Sequence, residues 1–154
     1  MITVTSTFSS VHKLLMLASK QASPTAQAKQ ITIKLPQDEN IYANFDLKWT
    51  VEALFNIIDN AIKYTKQGDQ IDIFVTTYEF FCRIDITDHG IGIAEAEQSA
   101  VFRRFYRSPA VSMQEGVGLG LYLAREIITA EGGYIKLSSQ ASVGSTFSIF
   151  LPLR

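Results

Sequence analysis

The sequence predicts a single α+β domain, in which short strands and helices alternate around one long connection. Its 154 residues are enough to bury one hydrophobic core, and a composition that is 47% hydrophobic and 19% charged excludes a disordered chain. Helical spacing runs over residues 46–65, between segments with the two-residue period of strands. Residues 89–120 lack continuous hydrophobic periodicity and carry glycines at both ends. A connection of that length inside a compact domain indicates either a wrong assignment of elements or a functional lid, and the glycines at both ends favour the lid.

Bulk properties exclude several classes of protein. A net charge of −1 gives no reason to expect nucleic acid as a partner. No apolar run approaches the roughly 18 residues that span a bilayer, and the N-terminus lacks the basic start of a signal peptide. The single cysteine, Cys82, suits a reducing compartment and is predicted as a small buried strand residue. We therefore expect a cytoplasmic domain that makes no membrane contact of its own, whether or not a parent protein is membrane-anchored.

Residues 1–30 are predicted as a lead-in of one strand and one helix, ahead of a core over residues 31–154. The strand is ITVTS, which alternates and is β-branched, and the segment SSVHKLLMLASKQA has helical spacing. Ser23 followed by Pro24 resembles a new N-cap with proline at the first helical position. The helix is therefore expected to restart or kink there.

The core is predicted to alternate strands with two long helices. One helix runs from Asp46 to Thr65, and the second starts in the glycine-rich segment near residue 119 and ends at a Gly-Gly pair. The predicted strands, in order, are ITIKL, NIYANF, IDIFVTTYEF, FCRIDITD, YIKLSS and STFSIFLPL, the last two forming a hairpin.

The helix from Asp46 to Thr65 carries an unusual polar stripe. On a wheel at about 100° per residue with Val51 at zero, four apolar side chains fall within about 60°; they are Leu54, Phe55, Ile58 and Ile62. Four polar ones fall between about 100° and 180°; they are Glu52, Asn56, Asn60 and Lys63. A solvated face is the ordinary explanation, but such faces are built from Lys, Glu, Gln and Arg, whereas asparagine is a poor interior helix residue.

Paired asparagines with one lysine are better suited to coordinating a ligand. An asparagine oxygen is a ligand that Mg²⁺ accepts beside waters and phosphate oxygens. Lys63 has the charge to hold a phosphate, and the flat ring of Tyr64 is suited to stacking on a base.

Two glycine motifs follow the helix. In DHGIGI, Asp88 ends a strand and offers an acceptor for an amino group such as that of adenine, while Gly90 and Gly92 permit close approach of backbone. In GVGLGL, glycines lead into a helix N-terminus, which is a phosphate site by its free N–H groups and dipole. It is neither a Walker A loop nor a dinucleotide fingerprint. Each glycine motif alone is explained by a turn. The polar stripe followed by the two glycine motifs, in this order, indicates a nucleotide site.

Four motifs in this order, N-x-x-x-N-A-x-K-Y-[ST], D-x-G-x-G-I, F-x-R-F-Y-R and G-x-G-L-G-L, resemble the catalytic ATP-binding domain of sensor histidine kinases. That domain shares a superfamily with gyrase, the ninety-kilodalton heat-shock chaperones and mismatch-repair ATPases. The resemblance covers roughly residues 30–154. It implies a two-layer α/β sandwich of the Bergerat type, with a mixed, mostly antiparallel sheet packed on helices, and ATP beneath a flexible lid.

The resemblance also assigns roles to single residues. It places Asn60 on Mg²⁺, Asn56 and Lys63 beside the phosphates, Tyr64 on adenine, and Asp88 on the adenine amino group. The remaining nucleotide contacts that it implies are Gly90, Gly92, Ile93, Phe105, Arg107, Gly116, Gly118, Leu119 and Gly120.

Catalytic and lid residues follow from the same comparison of motifs. With Asn56, the resemblance implies a catalytic role for Glu52 in removing a proton from the acceptor, and a plain solvated glutamate is the alternative. The aromatic box that anchors the lid corresponds to Phe102, Phe105 and Tyr106, and either Arg104 or Arg107 is expected to reach phosphate.

The phosphoacceptor pattern of a complete kinase is a histidine followed by an acidic residue and, five positions on, a proline. His12 is followed by Lys13 with Leu17 at the proline position, and His89 lies inside the Asp-Gly motif, so neither matches. We therefore expect residues 1–154 to form one catalytic domain without the acceptor and dimerisation domain.

The expected function is transfer of the γ-phosphate of Mg·ATP to a histidine on that separate domain, with a response regulator downstream. The alternatives are an anti-sigma-type serine kinase and a non-catalytic nucleotide-dependent interaction module.

Overall fold

The computed structural model describes residues 2–103 and 119–154. Its elements in chain order are β1 (Thr7–Ser10), α1 (Val11–Ala28), β2 (Thr32–Lys34), β3 (Tyr42–Phe45), α2 (Leu47–Tyr64), β4 (Gln70–Thr77), β5 (Phe81–Asp88), α3 (Glu95–Gln98), α4 (Gly120–Ala130), β6 (Tyr134–Gln140) and β7 (Gly144–Pro152). Within these two ranges strands and helices are mixed, which confirms the predicted α+β class. None of the helices in this part of the chain combines the length and the hydrophobicity that crossing a bilayer requires.

Five strands form the main sheet in the order β2-β4-β5-β7-β6, while β1 and β3 form a separate antiparallel pair. The neighbours β2 and β4 are parallel, and the other three pairs of the main sheet are antiparallel. This arrangement is the mixed, mostly antiparallel sheet that the motifs implied. In its central strand β5, Asp88 pairs with Ser145 of β7. The start of the DHGIGI motif therefore lies beside the final hairpin.

One face of the sheet packs on the helices, and α2 lies between α1 and α4. Strand β5 alternates along its length, so that Cys82, Ile84 and Ile86 are fully buried on the helix side. Full burial of an isoleucine contributes about 2 kcal/mol, so this layer is a substantial part of the stability of the domain. Cys82 is buried as predicted, and burial raises the pKa of its thiol to about 11.

Both ends of α2 are held by side chains. Oδ1 of Asp46 accepts a hydrogen bond from the Trp49 backbone N–H at 3.3 Å, which is an N-cap. At the other end, Nζ of Lys29 donates to the carbonyls of Ile62 at 2.8 Å and Lys63 at 3.2 Å. These bonds satisfy carbonyls that a helix end leaves without partners. The predicted helix from 46 to 65 is therefore confirmed, with its terminal residues as caps.

The lead-in differs from the prediction in two details. The first strand is β1 rather than residues 2–6, because β1 pairs with β3 and its last residue, Ser10, caps α1 by accepting from the Lys13 N–H. Helix α1 continues through Pro24 instead of restarting, and Ser23 accepts from the side chain of Gln27. A proline removes one donor, and here the buried residues on either side of it hold the helix against the core.

Candidate functional site

The polar stripe of α2 is half-buried rather than fully solvated. All four of its members have intermediate exposure, and they are Glu52, Asn56, Asn60 and Lys63. Nδ2 of Asn60 is buried, and within the described residues it has no hydrogen-bond partner. A buried amide left in that state costs about 1–3 kcal/mol. Such a donor fits a site built for a polar ligand better than a solvated helix face.

The buried face of α2 is wider than the apolar face that the helical wheel predicted. Leu54, Ile58 and Ile62 are buried as expected, whereas Val51 and Phe55 are only partly buried. Burial extends instead to the other side of the helix, to Thr50, Ala53, Ile57, Ala61 and Tyr64. The reason is that α2 is covered by α1, α4 and the sheet together. Asn60 stands at the border of this buried face, which explains how its amide is enclosed.

The N-terminus of α4 lies against the middle of the stripe. A Cβ atom placed on Gly120 would lie 3.5 Å from Oδ1 of Asn56. Helix α4 begins at Gly120 with Leu119 as its N-cap, and no side chain caps it. The first N–H groups of a helix lack internal partners and carry the positive end of its dipole. The structure thus brings Asn56, Leu119 and Gly120 together, in an arrangement that suits phosphate.

Asp88, the last residue of β5, is only 2% exposed. Its Oδ1 accepts from the Gly90 N–H at 3.0 Å, and the backbone N–H of Ser145 donates to the same carboxylate. Its Oδ2 is buried and has no partner among the described residues. Burial raises the pKa of this carboxyl, against the lowering effect of the two backbone hydrogen bonds and of His89. One oxygen is therefore held in place while the other remains available to a donor from a ligand.

The loop after Asp88 passes directly over the C-terminal end of α2. A Cβ on Gly90 would lie 1.8 Å from the carbonyl oxygen of Tyr64, and the Ile91 N–H donates to that same oxygen at 3.2 Å. Glycine is required here because backbone meets backbone. The DHGIGI motif and the α2 stripe therefore meet at Tyr64. The Tyr64 residue is 6% exposed, so little of its ring is open to a base.

The end of the loop rests on the β6–β7 hairpin. Gly92 has a φ of 72°, and a Cβ there would lie 2.2 Å from the carbonyl oxygen of Gln140. The Ile93 N–H donates to Oγ of Ser139 at 2.7 Å. The sequence predicted this hairpin but did not indicate Ser139 or Ser145 as residues of the site. No local signal could have identified them, because their position follows from the pairing of β7 with β5 and with β6.

The structure separates the remaining candidates. Phe102 is buried and meets Phe147 edge-on at 5.9 Å between ring centroids. Glu52 lines a shallow groove between α1 and α2 with Leu17 and Leu47, so both of its alternatives stay open. The other lid and loop candidates fall outside the described residues; they are Arg104, Phe105, Tyr106, Arg107, Gly116 and Gly118.

The two histidines and the stripe lysine each have an acidic neighbour. Nε2 of His89 lies 3.1 Å from Oδ2 of Asp72, and Nε2 of His12 lies 3.7 Å from Oε1 of Glu39. Nζ of Lys63 lies 3.5 Å from Oδ2 of Asp59, one turn back on α2. Lys63 is thus positioned on the stripe by its own helix.

In residues 2–103 and 119–154, no group of three or more His, Cys, Asp or Glu side chains is arranged to hold a metal ion. Mg²⁺ commonly binds through one or two protein oxygens together with waters and substrate phosphates. The side-chain oxygens of Asn56 and Asn60 are of the kind that this mode uses.

Comparison with known proteins gives a consistent result. The model of the family described as histidine kinase-, DNA gyrase B- and HSP90-like ATPase matches residues 45–154. Over 125 residues, 80% of this chain, the sequence is 37% identical to Sensor protein kinase PmrB of Pseudomonas aeruginosa. The chain covers 26% of PmrB, so it spans about a quarter of that relative.

Solved structures share the fold. The mycobacterial sensor histidine kinase MprB superposes with a TM-score of 0.83 at 22% identity, over 97% of this chain and 99% of that one. Full-length ShkA, solved in complex with AMPPNP, superposes with a TM-score of 0.80 at 23% identity, over 98% of this chain and 32% of that one. The relatives do not favour the serine kinase or the non-catalytic module. The chain belongs to the histidine kinase-, DNA gyrase B- and HSP90-like ATPases, as the histidine kinase type of ATPase domain found in two-component sensor kinases.

Proposed function

We propose that this chain binds Mg·ATP and transfers the γ-phosphate to a histidine on a separate dimerisation domain, as the catalytic part of a sensor histidine kinase. A response regulator then receives the phosphate. Membership of the ATPase family and the identity shared with PmrB support the proposal. Because ATP is the substrate, we place this domain in the cytoplasm.

The observation that carries the proposal is the buried carboxylate of Asp88. One of its oxygens is held by the Gly90 N–H, while the other has no partner among the described residues. A buried acceptor of that kind selects a ligand that offers an N–H donor. The exocyclic amino group of adenine is such a donor. Gly90, Gly92 and Ile93 would then form the wall of the base pocket.

The phosphate end would use α2 and α4. Asn60 would hold Mg²⁺, and Asn56, Leu119 and Gly120 would receive the phosphates at the start of α4. Bound magnesium supplies charge neutralisation at the phosphate oxygens. Lys63 adds a positive charge on the same side of the helix. The work of the protein in phosphoryl transfer is then positioning and electrostatic stabilisation.

Calorimetry of the 154-residue chain with ATP, in the presence and absence of Mg²⁺, tests the binding step. We expect Asp88→Asn to weaken binding because it replaces one of two acceptor oxygens by an NH2 donor. We expect Asn60→Asp to weaken binding because it changes the proposed magnesium ligand. Asp38→Asn, at an exposed position, is the matched control. Undiminished binding in both site variants would refute these roles.

Labelling with γ-³²P-ATP tests the transfer step. The chain alone should not label itself on histidine, since neither His12 nor His89 has the acceptor pattern. Addition of the separate histidine-bearing domain should give acid-labile label on that domain. Acid-stable label on an added partner would identify a serine kinase instead.

A further inference from the structure

We propose that Ser139, on β6, is a positioning residue that holds the base-reading loop 88–93 and so determines the preference of the site for a purine with an exocyclic amino group. The inference rests on the proposed function, in which Asp88 receives that amino group. It concerns a residue that lies outside all four nucleotide motifs.

The Ser139 hydroxyl uses its full hydrogen-bonding capacity on this loop and its support. It accepts from the Ile93 N–H at 2.7 Å, donates to the Gly144 carbonyl at 3.0 Å and contacts Oγ of Ser145 at 2.7 Å. A serine hydroxyl has one donor and two acceptor sites. Since its donor goes to Gly144, the proton between the two serines comes from Ser145. Each of the three sites is then used once.

A second side chain joins the same two segments. Nε2 of Gln98, on α3, donates to the carbonyl of Ile93 and to the carbonyl of Ser139, both at 3.0 Å. Residues 93 and 139 are thus linked by the serine hydroxyl on one side and by the glutamine amide on the other. Ile93 is 3% exposed, so its N–H has no access to bulk water as an alternative partner.

The serine pair also reaches the base-reading carboxylate. Ser145 donates its backbone N–H to Asp88, and its hydroxyl contacts Ser139. The hydrogen bonds therefore run from Asp88 through Ser145 and Ser139 to Ile93, which connects the first and last residues of the loop. Asp88 and Ile93 cannot shift relative to each other without breaking one of these bonds.

Close backbone contacts with the hairpin turn also support the loop on this side. A Cβ on Gly144 would lie 2.2 Å from the Asp88 carbonyl oxygen, and the Ser142 N–H donates to the Ile91 carbonyl at 2.7 Å. The loop rests directly on the hairpin turn, with no side chain between the two backbones. Its position is therefore set by the hairpin, and the side chains of Ser139 and Gln98 add hydrogen bonds that link the two.

Comparison of ATP with purine riboside triphosphate, which lacks the 6-amino group, measures this effect. The dissociation constant of the analogue divided by that of ATP reports the contact between the amino group and Asp88. In the Ser139→Ala variant we expect ATP affinity to fall about tenfold while that of the deaminated analogue changes little, so the ratio falls by the same factor. A merely structural role would lower the affinity for both nucleotides equally, because both bind the same folded fraction.

Matched variants distinguish the effect of losing the Ser139 hydroxyl from a general effect of substitutions in β6. Ser138→Ala, at the exposed neighbouring position of β6, should leave the ratio unchanged, and Ser139→Thr, which keeps a hydroxyl, should restore most of it. Gln98→Ala removes the second link and should lower the ratio in the same direction by a smaller factor. It serves as the test if Ser139→Ala does not fold.

The outcomes distinguish this inference from the proposed function. A wild-type chain that binds ATP and discriminates against the analogue, with an unchanged ratio in Ser139→Ala, would overturn the role of Ser139 and leave the function standing. An unchanged ratio in Gln98→Ala, where only that variant folds, would overturn it equally. A wild-type chain that does not distinguish the two nucleotides would overturn both.

Discussion

The base end and the phosphate end of the site are supported in different ways. At the base end, Asp88 and the loop to Ile93 lie on a β-hairpin, and backbone contacts with no room for a side chain hold them. At the phosphate end, Asn56 projects from α2 towards the start of α4, where a Cβ on Gly120 would be in ordinary contact with it. The proposed base pocket is therefore held by close backbone contacts. The proposed phosphate site consists of side chains of α2 and the N-terminus of α4.

The largest expected effect is at the base end. Gly90→Ala would place a Cβ 1.8 Å from the Tyr64 carbonyl oxygen, so either the loop or the end of α2 must move. We expect the free energy of unfolding to fall by more than about 3 kcal/mol and ATP binding to be lost. Urea denaturation and calorimetry measure the two effects.

Gly68→Ala is the control for that variant, because a Cβ at Gly68 meets nothing within 4 Å although its φ is +85°. It should cost only the strain of an alanine at positive φ, about 1 kcal/mol. Equal destabilisation by the two substitutions would contradict the close backbone contact at Gly90.

The packing of α4 against α2 should depend on pH through Glu131, which follows the last residue of α4. Its Oε2 accepts from the Asp46 N–H at 2.7 Å and from Oγ1 of Thr50 at 2.6 Å, which ties the end of α4 to the start of α2. Burial raises the pKa of this carboxyl to about 7 from its ordinary value of 4.5. The folded state therefore binds the proton more tightly than the unfolded state does, so the stabilisation is complete below pH 4.5 and is lost as the pH rises through 7.

Denaturation curves from pH 4.5 to 8 test this linkage. The wild-type free energy of unfolding should decline by about 3 kcal/mol over that range, and Glu131→Gln, which carries no proton to lose, should remove most of the decline. Glu126→Gln, at an exposed position on the same helix, is the control. A wild-type slope retained in Glu131→Gln would assign the pH dependence elsewhere.

ATP affinity should have an acid limb that originates at the base end. Asp88 must be ionised to accept from an amino group, and burial raises its pKa above the usual value for an aspartate. Affinity therefore falls as the pH drops through that raised pKa, with up to about tenfold loss for each pH unit below it. Calorimetry over a descending pH series should show the limb in the wild type and in Asp38→Asn, and should not show it in Asp88→Asn.

Local patterns were enough to predict α2 and two of the four described residues that have an orphaned buried atom, Asn60 and Asp88. The Asp46 cap, the helical period and the paired asparagines all lie within one segment, and Asp88 ends a strand that is evident in its own alternation. The contacts that support them could not be predicted in this way. Asp88 meets Ser145 through a strand pairing 57 positions apart, and Glu131 reaches Asp46 across 85 positions. Such partners depend on the register of the sheet and on helix packing, which no local pattern specifies.

The smallest effect is expected at Gly120, and its sign distinguishes the two ends of the site. A Cβ there would lie 3.5 Å from Oδ1 and 3.6 Å from Cγ of Asn56, which is ordinary van der Waals contact. Alanine is also the better helix former, so Gly120→Ala should leave the free energy of unfolding unchanged or raise it by about 0.5 kcal/mol. The same methyl group would cover Asn56 where a phosphate is proposed to bind, so Mg·ATP affinity should fall several-fold. A variant that is stable but binds poorly would show that this glycine serves the ligand, in contrast to Gly90, which serves the fold. Destabilisation with unchanged affinity in the folded fraction would place Gly120 with Gly90 instead.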